Sequence, residues 1–131
     1  MNRHLRRKQK KEGNKKNNIQ SKLIEAINFH SNKHFEKAER IYKELNALSP
    51  KNYDVLRHLG ILNQDLGRLE EAYNFFQEAI KVKPDGFEAL NNLGTIHVLN
   101  KNQNLALKCF EKSININPNY VPTINNLAGL Y

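Results

Sequence analysis

The stretch Lys83 to Gly94, KPDGFEALNNLG, decides the reading of this chain because it is written three times. SPKNYDVLRHLG begins at Ser49 and NPNYVPTINNLA at Asn117. Pro50, Pro84 and Pro118 stand 34 residues apart. The same interval separates Ala38, Ala72 and Ala106, then Tyr42, Phe76 and Phe110, and also Leu59, Leu93 and Leu127. The small residues Ala26, Gly60, Gly94 and Ala128 keep it too. A period of this length marks a stacked array of small supersecondary units, none of which can bury its apolar face alone.

Between two prolines the pattern is helical twice over. In the middle unit Leu56, Leu59 and Leu66 fall on one helical face, and Ala72, Phe76, Ala79 and Ile80 on another. Gly67 lies between them, where a left-handed residue closes a helix. Each unit is thus a helical hairpin. Gly60 and Ala72 are small, so the two helices can approach closely, and Phe76 fills the gap toward the next hairpin. Pro84 ends the second helix, since proline has no amide hydrogen and disfavours helix in the residue before it. Asp85, like Asn52 and Asn119 in their copies, offers an acceptor for the next helix start. The repeated phrase is a joint between hairpins.

This pattern resembles the tetratricopeptide repeat (TPR), a 34-residue helix-turn-helix unit. The resemblance covers Ile19 to Tyr131 and rests on Leu59, Gly60, Ala72, Phe76, Ala79 and Pro84, then on Leu93, Gly94, Ala106, Phe110 and Pro118. It implies an all-α, superhelical solenoid with repeats at 19–52, 53–86 and 87–120, and a fourth unit at 121–131 that supplies a first helix only. The first unit departs from the pattern with Lys22 and Glu25 in its first helix, as suits a terminal unit that meets water. Ser113 stands where the pattern has a small alanine, and Asn63 and His97 stand where it has an aromatic; looser packing is expected there. In the fourth unit Ile124, Leu127 and Leu130 lack a covering helix, which points to self-association or to more chain.

Charge is concentrated at one end. Of the formal +8, residues 1–20 hold +7, from Arg3, Arg6, Arg7, Lys8, Lys10, Lys11, Lys15 and Lys16 against Glu12 alone, which leaves +1 for the rest. With little to bury, residues 1–18 read as a disordered basic tail. Solubilisation is the simplest role for it. Contact with a polyanion through Arg3, Arg6, Arg7, Lys8, Lys10 and Lys11 is the alternative, and is the one route by which this chain would meet nucleic acid. No apolar run is long enough to span a membrane, and no secretory pattern follows the basic start. A single cysteine, Cys109, agrees with a reducing compartment, so a cytoplasmic location is expected.

No catalytic constellation stands out, and neither a cofactor nor a metal is expected. His30 and His34 have a ligand-like spacing, but they straddle the turn expected at Asn32 and Lys33 and read as solvated. Cys109 sits beside Phe110 without a nucleophile motif and reads as a structural thiol. Function then falls to the face lined by the first helices. That face includes Asp54, Arg57, His58 and Ile61, then Asn91, Asn92 and Thr95, then Asn125 and Asn126. The adaptors of the family that clamp a terminal carboxylate are poor matches, because Leu23, Ile27, His58 and Glu88 occupy four of the clamp positions and only Asn92 fits. The NNL phrase at Asn91–Leu93 and Asn125–Leu127 is similar to the repeat arms of O-linked N-acetylglucosamine transferases. In those arms an asparagine before the leucine bonds the backbone of an extended peptide, a role in which Asn92 and Asn126 would serve here. The resemblance implies a noncatalytic module that binds a protein or peptide, or alternatively the recognition arm of a larger glycosyl- or sulfotransferase.

Overall fold

Within residues 2–131, which the computed structural model describes, the chain forms seven helices: α1 (Arg3–Ser31), α2 (Phe35–Leu48), α3 (Tyr53–Asp65), α4 (Leu69–Val82), α5 (Phe87–Leu99), α6 (Gln103–Ile116) and α7 (Val121–Leu130). No strand occurs among the described residues. The architecture is an all-α solenoid of helix-turn-helix repeats, and the chain divides into two units, Met1–Ser49 and Pro50–Tyr131. No described helix is long and apolar enough to cross a membrane.

The first unit is the α1–α2 hairpin. Ile19, Leu23 and Ala26 of α1 are buried, as are Ala38, Tyr42 and Leu45 of α2. The turn lies at Asn32 and Lys33 as expected, but the flanking histidines are not simply solvated. The Nδ1 of His30 lies 3.2 Å from the buried hydroxyl of Tyr42, and His34 sets its ring edge-on to Phe29. The larger correction concerns the basic segment. Residues 1–18 were expected to be unfolded, yet α1 runs unbroken from Arg3; Met1 lies outside the described residues. Low burial argues for an unfolded tail, but propensity argues the other way. Lys, Arg, Gln and Glu are good helix formers, and a helix already nucleated by its packed part extends without a second nucleation cost. Asn2 closes the free end, its Oδ1 accepting the Leu5 N–H at 2.9 Å.

The second unit holds α3 to α7, with α4 packed on both α3 and α5, and α6 on both α5 and α7. Each second helix therefore sits between its own partner and the next first helix, which is the stacking that lets short hairpins share one core. Gly60 and Gly94 make the approach close. A β-carbon on Gly60 would lie 2.6 Å from Cδ1 of Phe76, and one on Gly94 would lie 2.7 Å from Cδ1 of Phe110. Both rings are almost fully buried, so neither has room to move aside.

The turns inside the hairpins repeat as closely as the core does. Lys33, Gly67 and Lys101, each 34 residues from the next, take positive φ of 63°, 77° and 60°. In each turn the following amide reaches back to a carbonyl in the last helical turn: His34 to Phe29, Arg68 to Asn63 and Asn102 to His97, all at 2.8 Å. This is the Schellman closure, in which glycine is the unstrained choice. Sequence reading found it only at Gly67, because lysine gives no sign of the same geometry.

Helix starts at the joints depart from expectation. Asn52 caps α3, its Oδ1 accepting the Val55 N–H at 3.1 Å, but the capping residues of α5 and α7 are Gly86 and Tyr120, with no side-chain cap from Asp85 or Asn119. At α5 the cap comes from the preceding hairpin. The Tyr53 hydroxyl accepts the Ala89 N–H at 3.1 Å and donates to Glu88 Oε2 at 2.7 Å. Gly86 makes room for it, since a β-carbon there would lie 2.6 Å from the tyrosine ring.

Candidate functional site

The expected face is assembled by α3, α5 and α7, but its residues do not play equal parts. Asn91 is 5% exposed and turns inward. Its Oδ1 accepts from the Thr123 hydroxyl at 3.0 Å and from Asn126 Nδ2 at 2.9 Å. The expectation that Asn91 lines the groove is therefore corrected. Its carbonyl is a packing element that fastens α7 to α5, and a buried amide oxygen with two donors has nothing left to offer a ligand.

Ser113 completes this network. Its hydroxyl donates to the Phe87 carbonyl at 2.9 Å and lies 2.8 Å from that of Thr123. The looser packing expected at Ser113 is thus not found; a fully buried hydroxyl ties α6 to both α5 and α7. Asn63 is satisfied in the same spirit, its Nδ2 donating to the Leu59 carbonyl at 2.8 Å and its Oδ1 accepting from Arg68 at 3.5 Å.

What remains accessible falls into two patches. The first gathers Arg57, Asn92, Glu88, Tyr53 and Tyr120. Arg57 Nη1 donates to Asn92 Oδ1 at 3.5 Å, a long bond, and its buried Nε has no partner. Asn92 is half-buried, and no hydrogen bond to its Nδ2 is found among the described residues. Burial first, and then the bond to Glu88, pushes the Tyr53 phenol well above its ordinary range. Burial likewise raises Tyr120, with Arg57 opposing the shift. Both phenols stay protonated, and that of Tyr53 donates to Glu88. Asp54 is exposed beside this patch, and Ile61 turns partly into the core around Phe76 and Leu93. His58 is half-buried.

The second patch is a cleft of about 200 Å³ between α5 and α7, lined by Thr95, Val98, Asn125, Asn126 and Leu130, with Phe110 of α6 behind them. Gly129 also borders it. Thr95 donates to the Asn91 carbonyl one turn back at 3.2 Å, so it presents its methyl group to the cleft more readily than its hydroxyl. Asn125 is exposed, whereas Asn126 is half-buried and already bonded to Asn91. The cleft is apolar at its floor and amide-rich at its rim. Sequence reading missed Phe110 and Leu130 as lining residues. Leu130 has the register of Leu62 and Ile96, which are fully buried, yet it is only half-buried here. The uncovered surface expected at Ile124, Leu127 and Leu130 is reduced, since Leu127 and Leu130 are half-covered, whereas Val121, at 59%, and Ile124, at 43%, are exposed.

Other candidates are quiet. Cys109 packs on the Phe76 and Leu93 cluster, and burial pushes its thiol up, against a smaller opposing effect of Lys112, so a thiolate is disfavoured. No group of metal-ligating side chains occurs among the described residues.

Family models described as the tetratricopeptide repeat match residues 29–96 and residues 87–120. The chain belongs to the tetratricopeptide-repeat family. No curated protein sequence matches it. Among solved structures it is similar to YrrB, described as a TPR protein with an unusual peptide-binding site, at 17% identity and a TM-score of 0.76, over 84% of this chain and 57% of YrrB. It is also similar to a mutant O-GlcNAc transferase of Thermobaculum terrenum, at 20% identity and a TM-score of 0.81, over 86% of this chain and 22% of the enzyme. The first TPR domain of Spaghetti bound to an HSP90 peptide matches at 14% identity and a TM-score of 0.78, over 86% of this chain and 89% of that domain. At these identities the likeness is one of fold, and the chain spans little more than half of YrrB and about a fifth of the transferase.

Proposed function

We propose that this TPR chain is a noncatalytic interaction module, cytoplasmic in setting, that holds an extended peptide along the α3, α5 and α7 face of its second unit. The observation that carries this reading is the cleft between α5 and α7. It has the size and lining of a pocket for one apolar side chain, with Val98, Leu130 and Phe110 as floor. The amide of Asn125 stands at its rim and that of Asn92 lies in the Arg57 patch on the same face; both suit a peptide backbone, since each carries a donor and an acceptor and reads peptide groups without regard to side chain. Asn126, the other member of the asparagine column, serves the fold first. Peptide binding by YrrB and by the Spaghetti domain supports the class of ligand and leaves its sequence open.

The test is selection from a random peptide library on the full chain, followed by affinity measurements on an enriched peptide. Asn92→Ala should weaken binding by about tenfold, the loss of one or two hydrogen bonds, and Val98→Arg, which fills the cleft, should weaken it further. An enriched peptide that binds Val98→Arg as well as wild type would end this reading. The transferase-arm alternative rests on the unpaired fourth unit and on the NNL phrase, and half of that phrase is accounted for by packing, because Asn91 and Asn126 bond each other.

A further inference from the structure

The helical form of the basic segment gives its charges a geometry that an unfolded tail would lack. Every residue from Asn2 to Asn18 is exposed, and α1 carries this segment as a single rod, about 20 Å from Arg3 to Lys16 at the usual rise. At 3.6 residues per turn, Arg3, Arg6, Arg7, Lys8, Lys10, Lys11 and Lys15 fall within an arc of about 200°. That arc is centred about 130° from the face carrying Ile19, Leu23 and Ala26, so its middle points away from α2, while Lys8 and Lys15 at one edge come round to the angle of Ala26. The remaining arc holds Gln9, Glu12, Gly13 and Lys16, which together with Lys15 at the edge of the stripe border a shallow cleft reaching Ser49 at the end of α2. Only Lys16 of the eight cations lies outside the stripe.

We propose that this helix face is a docking surface for the phosphate backbone of double-stranded DNA. Four considerations select that partner. A helix with its side chains is about 10–12 Å across, and the B-form major groove is about 12 Å wide with phosphates along both walls, so cations spread over half a cylinder meet phosphates on both sides. A flat lipid surface would engage only the middle of such a stripe, and Leu5 is the one large apolar side chain after Met1 and before Ile19 available to enter lipid. No Phe, Tyr or Trp occurs before Phe29 to stack on unpaired bases, which disfavours a single strand. The A-form groove of duplex RNA is too narrow to admit a helix. Binding is carried by phosphates, so it is independent of base sequence and strongly dependent on salt. The surface is separate from the α5–α7 cleft and does not rest on the peptide reading.

The experiment is fluorescence anisotropy of a labelled 20-base-pair duplex titrated with the full chain at several salt concentrations. With about five phosphates neutralised, the log affinity should fall against log salt with a slope of roughly −4 to −5. Arg6→Gln/Arg7→Gln/Lys10→Gln/Lys11→Gln should abolish binding. Lys16→Gln, which lies off the stripe, should lower affinity less than threefold. Gln9→Pro keeps all eight cations but breaks the rod, with circular dichroism to confirm that the other helices remain, and should weaken binding at least tenfold. The proposal is overturned if Gln9→Pro binds as wild type, because charge count alone then suffices. It is equally overturned if the duplex is not bound at 50 mM salt, or if phosphatidylserine vesicles bind more tightly than the duplex at equal salt.

Discussion

The second unit contains the same joint twice, built with different chemistry. Where α4 meets α5, the contact is apolar, with Leu56, Ala79 and Ala89 in one buried cluster flanked by Tyr53. Where α6 meets α7, the residues 34 positions on are Leu90, Ser113 and Thr123, flanked by Phe87. Two alanines have become two hydroxyls, and Arg57, which faces the groove, has become Asn91, which faces inward. The capping tyrosine has also changed sides. Tyr53 enters over Gly86 at the first joint, whereas at the second Tyr120 holds the Gly86 position and packs edge-on to Phe87 at 4.9 Å. One backbone geometry thus tolerates a greasy seam or a hydrogen-bonded one, provided that every buried hydroxyl finds an acceptor.

The largest test of this comparison removes the aromatic plug from each side. Phe76→Ala and Phe110→Ala should each cost about 3–5 kcal/mol in denaturant unfolding. Their consequences should differ. Phe76 packs with Ala72, Leu93 and Ile96 in the middle of the unit, so its loss should lower protection of α3 to α6 together. Phe110 backs the α5–α7 cleft, so its loss should release α7 first, seen as faster amide exchange in Val121–Leu130. Equal protection losses in both variants would mean that the two joints are not separable.

A smaller effect separates the seams themselves. Ser113 and Thr123 have two hydroxyl protons for three short contacts: to the Phe87 carbonyl, to Asn91 Oδ1 and to each other. Removing one hydroxyl therefore leaves the other bonded. Ser113→Ala and Thr123→Ala should each cost about 1 kcal/mol from lost hydrogen bonds. The double variant, which recreates the alanine pair of the other joint, should cost less than their sum by at least about 0.5 kcal/mol. The reverse change, Ala79→Ser, would bury a hydroxyl opposite Ala89 and should cost about 1–3 kcal/mol unless it finds an acceptor. Strict additivity in the cycle would show that the two hydroxyls act independently.

These contrasts also show what could be read from the sequence. The hairpin period, the close approach at Gly60 and Gly94 and the plugs at Phe76 and Phe110 were legible because each depends on the size of one residue in a repeated column. The cap of α3 at Asn52 was legible too, but that of α5 was not, because it depends on a side chain from the neighbouring hairpin: Tyr53 reaches over 36 positions to Ala89. The candidate groove was legible as a face but not residue by residue. Asn91 and Asn92 are adjacent and chemically identical, and one residue of helical rotation sends the first into the seam and leaves the second at the surface. The helix at Arg3 to Asn18 was hidden for another reason: low burial argued for an unfolded tail, while propensity and an adjoining nucleus argued for continuation.

The mildest contrast is one of pH. Asn63 and His97 occupy the same register in α3 and α5; the first is a buried amide that cannot titrate, and the second is an imidazole set edge-on to Tyr73 at 5.9 Å. Burial lowers the pKa of His97 below its ordinary 6.5. The unfolded chain therefore takes up the proton first as pH falls through about 6.5, and protonation favours unfolding from there down to the depressed folded value. Stability from this group is complete above that window and is lost below it. The denaturation midpoint should thus drop between pH 7.5 and pH 5, and the drop should be smaller in His97→Gln, which puts an amide where α3 already has one. Every other titrating group is common to the two proteins, so their difference isolates the imidazole. An equal drop in both would mean that the cost of charging His97 is relieved by water reaching the ring past Tyr73, and that the α5–α6 hairpin is no more sensitive to acid than its neighbour.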